Sequence, residues 1–171
     1  MANSKMLNAL NDQIKFEYYS GYMYLSMSAY FSDLGLSGFA HWMRMQADEE
    51  LLHAHKFYDY VIARGGKVTL QAIDAPPSKW KSPLDVFEEG LKHERFVTGR
   101  INMLMDTAVA AKDHASHVFL QWFITEQVEE EENFGDLVNK LKLIKGDGQG
   151  LLLLDRDLAA RAAASAAPAA E

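Results

Sequence analysis

The stretch "LQWFITEQVEEEENF", Leu120 to Phe134, opens as an apolar, aromatic run and then places five glutamates and a glutamine in seven residues before returning to Phe134. Helical phase divides that block. Leu120, Phe123, Gln127, Glu130, Phe134, Leu137 and Leu141 recur at spacings of three and four and form one stripe. Gln127 and Glu130 therefore point into a bundle, Glu126 and Glu129 flank them, and only Glu131 and Glu132 keep a solvated face. A helix with an amide and a carboxylate in its apolar stripe needs other elements to answer them.

Working outward, sparse Gly and Pro leave four long helical segments. The first runs from about Ser4 to Asp33 and breaks at "DLGLSG", where Gly35 supplies the C-terminal break and Ser37 is a candidate N-cap. The second ends at "ARGGK". The third starts at "KSPLD", with Ser82 as N-cap, Pro83 in the first turn and Asp85 at the positive end of the dipole. It breaks near Lys112, where Asp113 caps a fourth helix that ends at "LIKGDG". This gives a four-helix region over about residues 4–145, a short fifth helix over about 148–163, and an Ala-rich tail at 164–171, all within a single domain.

Short links make the first and last pairs antiparallel hairpins. The middle link, "GGKVTLQAIDAPPSKWKS", is 18 residues long and spans up to about 55 Å when extended. Helices of roughly 28 residues are about 42 Å long. A link able to travel the bundle predicts an all-α fold, a four-helix bundle with one long crossover.

Each remaining stripe is also broken near its middle. Leu7, Leu10, Ile14, Gly21, Tyr24, Ser28 and Phe31 pass through Glu17; Phe39, Met43, Phe57 and Tyr60 bracket Gln46, Glu50 and His53; Phe87, Leu91, Thr98, Ile101 and Met105 bracket Glu94. Counted from the turns at 1.5 Å per residue, Glu17, Glu50, Glu94 and Glu130 fall within roughly a turn of one height. Four carboxylates and a histidine in one layer are prohibitively costly to bury unless protons or cations accompany them. Glu50 and His53 form Glu-x-x-His, which sets an oxygen and an imidazole on one helical face. Carboxylate-rich ligation with one nitrogen and no sulfur suits iron or manganese better than structural zinc.

Composition narrows the class. A net charge of -7 argues against a nucleic-acid partner, and the absence of cysteine removes disulfides and thiolate chemistry. "MANSKMLNALNDQ" lacks the apolar centre of a signal peptide, and no run approaches the roughly 20 apolar residues of a membrane span. A soluble, cytoplasmic protein with no membrane partner is expected.

At "EYYSGYMY", "ADEELLHAHKFYDY", "KHE" and "FLQWFITEQVEEE" the chain resembles the bacterial non-haem ferritins, over essentially Met6 to Leu158. The resemblance implies a ferritin-like bundle with an intrasubunit di-iron ferroxidase centre. One iron is then held by Glu17, Glu50 and His53, the other by Glu94, Glu130 and a bridging Glu50, with Gln127 beside them. It further implies a third iron position at Glu49, Glu126, Glu129 and Glu130, and aromatic neighbours at Tyr24 and Trp122. Iron(II) with dioxygen or peroxide as substrates, storage of iron as ferric oxide, and a homo-oligomeric shell of 24 subunits follow from the same likeness. Haem is not implied, because Leu51 stands where a haem-ligating methionine would follow the ligand glutamate; Gln127 and Glu130 replace the second Glu-x-x-His of bacterioferritins.

Other features read more plainly. His41, His55, His93, His114 and His117 lack a partner ligand at helical spacing, the methionines read as core filler, and Leu151 to Leu154 as subunit contacts. A non-storage di-iron or dimanganese oxidase or peroxidase, or a non-catalytic scaffold, are the competing classes; the missing second Glu-x-x-His tells against the former and the carboxylate layer against the latter.

Overall fold

The computed structural model of the chain describes residues 4–162. Its elements are α1 (Ser4–Asp33), α2 (Ser37–Ala63), α3 (Pro83–Ala110), α4 (His114–Ile144) and α5 (Gly148–Leu158). α1 packs along α2 and α3 along α4, each pair folded back by a turn of three residues, and α1 packs on α3 to join the two hairpins.

The turns follow from local chemistry. Gly35 and Gly146 take positive φ, at 72° and 79°, where a Cβ is costly. Ser82 accepts from the Asp85 amide at 3.2 Å and Asp113 from the Ser116 amide at 3.2 Å, so both expected caps form. Ser37 does not cap α2. Leu36 holds the cap position without a side-chain bond, and the Phe39 amide is met instead by Asp155 of α5 at 2.9 Å. A distant carboxylate does this because α5 lies directly on the start of α2. A Cβ built at Gly38 would stand 1.6 Å from the Asp155 carbonyl oxygen. Gly38→Ala is therefore expected to lift α5 and lose the Phe39 bond, costing about 1–3 kcal/mol. A lower midpoint of thermal unfolding and faster proteolytic cleavage after Ile144 check this; unchanged values would show that α5 adjusts freely.

The link between α2 and α3 has no regular structure and runs along α1. The Asn11 side chain donates to the Lys67 carbonyl at 3.0 Å and accepts from the Thr69 amide at 2.8 Å. Further along, Gln71 donates to Asp12, Ser26 donates to the Pro77 carbonyl, and Trp80 packs edge-on to Tyr30. From Asn11 to Tyr30 is about 28 Å of helix. The expected crossover is thus pinned to α1 along its way.

The interior is divided. One apolar cluster gathers Met23, Tyr24, Met27, Phe31, Phe39, Trp42, Phe87 and Phe134; the other gathers Leu10, Ile14, Phe57, Val97, Ile101, Leu120 and Phe123. On every long helix the polar interruption lies between them. α5 ends at Leu158, five residues short of the expected end. Beyond it the Arg161 carbonyl bonds His41 at 2.8 Å and its side chain reaches α2, contacts that replace continuation of the helix. Leu154 is buried and Leu151 packs on the first cluster, so the intersubunit reading of that run is left with Leu152 and Leu153, which are exposed. The Ala-rich tail expected at 164–171 lies outside the described residues. No helix among the described residues is long and apolar enough to cross a membrane.

Candidate metal centre

Between the two apolar clusters α1 contributes Glu17, α2 Glu50 and His53, α3 Glu94, and α4 Gln127 and Glu130; none is more than 4 % exposed. Each comes from a stripe whose other members are apolar, so burial of the stripe carries these groups inward with it. Among the described residues, Glu17, Glu50 and His53 can bring one ligand atom each within 4.8 Å of one another. Glu49, His53 and Glu126 form a second such group, half-buried on two of its three members. His53 is shared: Nδ1 lies 3.4 Å from Glu50 Oε2 and Nε2 3.8 Å from Glu126 Oε1.

Glu94 and Glu130 sit in the same layer but outside these triads, because each carboxylate is turned to a donor. Tyr24 donates to Glu94 Oε1, and Gln127 donates to Glu94 Oε2 at 3.1 Å. Gln46 donates to Glu130 Oε2 at 2.7 Å. Glu17 in turn accepts from Gln13 at 2.8 Å, and Arg100 donates to the far side of that amide at 2.9 Å. Trp122 stands edge-on to the His53 ring, 5.4 Å between centroids. Glu129 is exposed and enters neither triad. Glu131 is not a free solvated charge: it accepts from Thr98 at 2.7 Å and pairs with Arg95 at 3.5 Å.

The sequence places Gln46 in the inward stripe of α2 without naming its partner, and it assigns no role to Gln13, Arg100 or Arg161. A signal existed for the amides, since Gln13 and Gln46 each precede a layer glutamate by four residues. Arg161 gave none, because its partners lie on α2, more than a hundred residues away. His93 is accounted for by a 2.8 Å bond to Ser20, and burial lowers its pKa to about 4. Asp113, besides capping α4, pairs with Arg64 at 3.0 Å.

The electrostatics express the cost of the layer. Desolvation, then repulsion from Glu94 and Glu17, pushes the Glu50 carboxyl well above its ordinary range despite the His53 charge. Desolvation raises Glu94 to about 7 against the bonds from Tyr24 and Gln127. Glu130 is raised to about 8, by desolvation first and then by Glu94 and Glu49. Burial opposes the charge on His53, but the Glu50 charge, the close approach of the Glu126 and Glu50 carboxylates, and the Glu17 charge outweigh it and hold the ring well above its ordinary value. The Tyr24 hydroxyl, desolvated and beside Glu94 and Glu50, is kept firmly protonated.

One atom is left over. Glu50 Oε2 is buried and makes no hydrogen bond; His53 Nδ1 is at ion-pair distance without bonding geometry. An unsatisfied carboxylate oxygen at the centre of an anionic layer is what a cation would complete. The donor set, carboxylate oxygens and one imidazole, matches iron or manganese.

A crossover four-helix bundle with such a layer defines the class of carboxylate metal proteins. The chain belongs to the ferritin family: the model of the Ferritin-like domain matches residues 7–144. It is 44 % identical to the bacterial non-heme ferritin of Bacteroides fragilis over 161 residues, 94 % of this chain and 100 % of that protein. The bacterial non-heme ferritin of Staphylococcus saprophyticus is 42 % identical, with 94 % and 96 % covered. Among solved structures, an open pore ferritin from the archaeon Archaeoglobus fulgidus superposes with a TM-score of 0.94 at 51 % identity, covering 95 % of this chain and all of that one.

Proposed function

We propose that this chain is an iron-storage ferritin that oxidises iron(II) at a di-iron centre in the mid-bundle layer and holds the ferric product as a hydrated oxide inside a homo-oligomeric shell. The observation that carries the reading is the buried layer itself, four carboxylates and a histidine with Glu50 Oε2 unpartnered. Glu17, Glu50 and His53 are assigned to one iron, and Glu94 and Glu130 with a bridging Glu50 to the other. Glu49 and Glu126, with Glu129 nearby, are assigned to a third iron as it leaves for the cavity.

The residues act by charge and by proton control. Anionic oxygen ligands favour iron(III) over iron(II), which lowers the potential and drives electron loss. Two iron(II) ions each give one electron, and the pair reduces dioxygen to peroxide or peroxide to water. Raised carboxyl pKa values mean that metal binding displaces protons from Glu94 and Glu130, which prepares both as ligands. Gln127 and Tyr24 orient Glu94, and Gln46 orients Glu130, so that both carboxylates start from one geometry.

The shell is assigned 24 subunits and a cytoplasmic location. Exposed Leu152 and Leu153 on α5 are the kind of apolar surface that assembly covers. Size-exclusion chromatography followed by aerobic iron(II) loading tests the whole reading. A particle of several hundred kilodaltons that retains far more iron than its ligand sites could hold is the expected result. A particle that oxidises iron without retaining it would instead favour a non-storage oxidase on the same bundle.

A further inference from the structure

Beyond α5 the chain returns to the metal centre. Arg161 donates to Glu49 Oε2 at 2.7 Å, to Gln46 Oε1 at 2.8 Å and to the Trp42 carbonyl at 3.4 Å. Its guanidinium lies 4.4 Å from the centroid of the Trp42 ring, and the His41 contact to its carbonyl anchors the backbone. Only 20 % of the Arg161 side chain and 18 % of Glu49 remain exposed, so this pair is shielded from water on most sides. Glu49 is also a member of the triad with His53 and Glu126. The carboxylate that a cation would use there is thus already bonded to a positive group of the same chain. A second link runs inward. A guanidinium only donates, so it holds the oxygen of the Gln46 amide and leaves the NH₂ facing Glu130.

We propose that Arg161 is a tethered counter-cation of the Glu49–His53–Glu126 triad: it holds Glu49 while no metal ion is bound there and must leave for one to bind, so that the segment after Leu158 sets the affinity of that triad for metal cations. The inference rests on reading the triad as a cation site. Arg161 occupies Glu49 Oε2 at 2.7 Å, so a metal ion that takes this oxygen has to break a charge-assisted guanidinium bond and meets the guanidinium charge at close range. Because the same guanidinium orients Gln46, its departure also frees the amide that bonds Glu130.

Zinc(II), which does not change oxidation state, titrated calorimetrically into the assembled metal-free protein, tests this. Arg161→Ala is expected to tighten the weakest class of sites roughly tenfold, about 1.4 kcal/mol, and to change the tighter classes less than about twofold. Arg161→Lys retains a charge and should stay near the parent value. Glu49→Gln should abolish the weakest class in both the parent and the Arg161→Ala background. If Arg161→Ala leaves that class unchanged or weakens it while Glu49→Gln still removes it, the triad stands and the counter-cation role is overturned. If Glu49→Gln leaves the class intact, the triad reading fails and the proposal fails with it. Arg161→Gln, uncharged but still a donor, gives the same comparison where alanine disturbs assembly.

Discussion

Replacing Glu50 and His53 together by alanine is expected to abolish fast iron(II) oxidation while the helices and the assembled particle persist. Both side chains come from one face of α2, and they supply two of the three atoms that converge in the Glu17–Glu50–His53 group. Truncating them leaves Glu17 as the one member of that group, and takes from Glu94 and Glu130 the carboxylate they are assigned to share with it. Outer partners of metal ligands alone are worth roughly 10–100-fold in affinity or activity, so loss of two direct ligands should lower the initial rate by at least about a hundredfold. Folding is affected less. The Glu50 carboxyl and the His53 imidazole leave together, so the charge balance of the layer is kept, and the desolvation cost saved on both groups offsets part of the cavity left by truncation. The metal-free variant should therefore show parent-like far-ultraviolet circular dichroism and elution volume. Stopped-flow oxidation at a few irons per subunit checks the site assignment, and an undiminished initial rate would refute it.

How legible this was depended on how local each cause is. The layer was readable because helical phase is a property of a single segment: Glu17, Glu50, Glu94 and Glu130 each interrupt a stripe at the same height. The crossover was readable from its length, and the Ser82 and Asp113 caps from two neighbouring residues. What escaped was tertiary. Ser37 has a capping side chain, but α5 brings Asp155 onto the Phe39 amide, and no local rule anticipates a partner 116 residues away. Arg161 escaped for the same reason, lying in an Ala-rich segment that reads as a frayed end. Helical phase alone puts Glu131 in solvent, yet Thr98 and Arg95 of α3 lie against it. The sorting of Glu94 and Glu130 away from the two triads follows from bonds to Tyr24, Gln127 and Gln46, which depend on side-chain rotamers and not on spacing.

Raising the pH from 6.5 to 8.5 should destabilise the metal-free protein, and a bound divalent ion should reverse the trend. Glu94 and Glu130 fold with pKa values of about 7 and about 8 against an ordinary 4.5. The folded chain therefore keeps protons that the unfolded chain has lost, so stability is fully present below pH 4.5 and is lost as the pH rises through the folded values. Glu50 and His53, both shifted upward, act in the same sense. His93 acts oppositely: with its pKa lowered to about 4 it costs stability only as the pH falls below 6.5. Above pH 6.5 the decline thus belongs to the layer. At 1.36 kcal/mol per pKa unit, the part falling in this window is on the order of 2–3 kcal/mol per subunit. For a chain of this size that lowers the unfolding midpoint by about 5–10 °C. Scanning calorimetry of the metal-free protein across the range measures the slope directly. Glu94→Gln with Glu130→Gln should flatten it, since neither amide titrates. Saturation with zinc(II) should invert it, because the ion competes with protons for the same oxygens and binds more tightly as they leave. A metal-free protein whose midpoint is constant over this window would mean that the layer carries its charges without the protonation cost assigned to Glu94 and Glu130, and the view that metal binding proceeds by proton displacement would have to be abandoned.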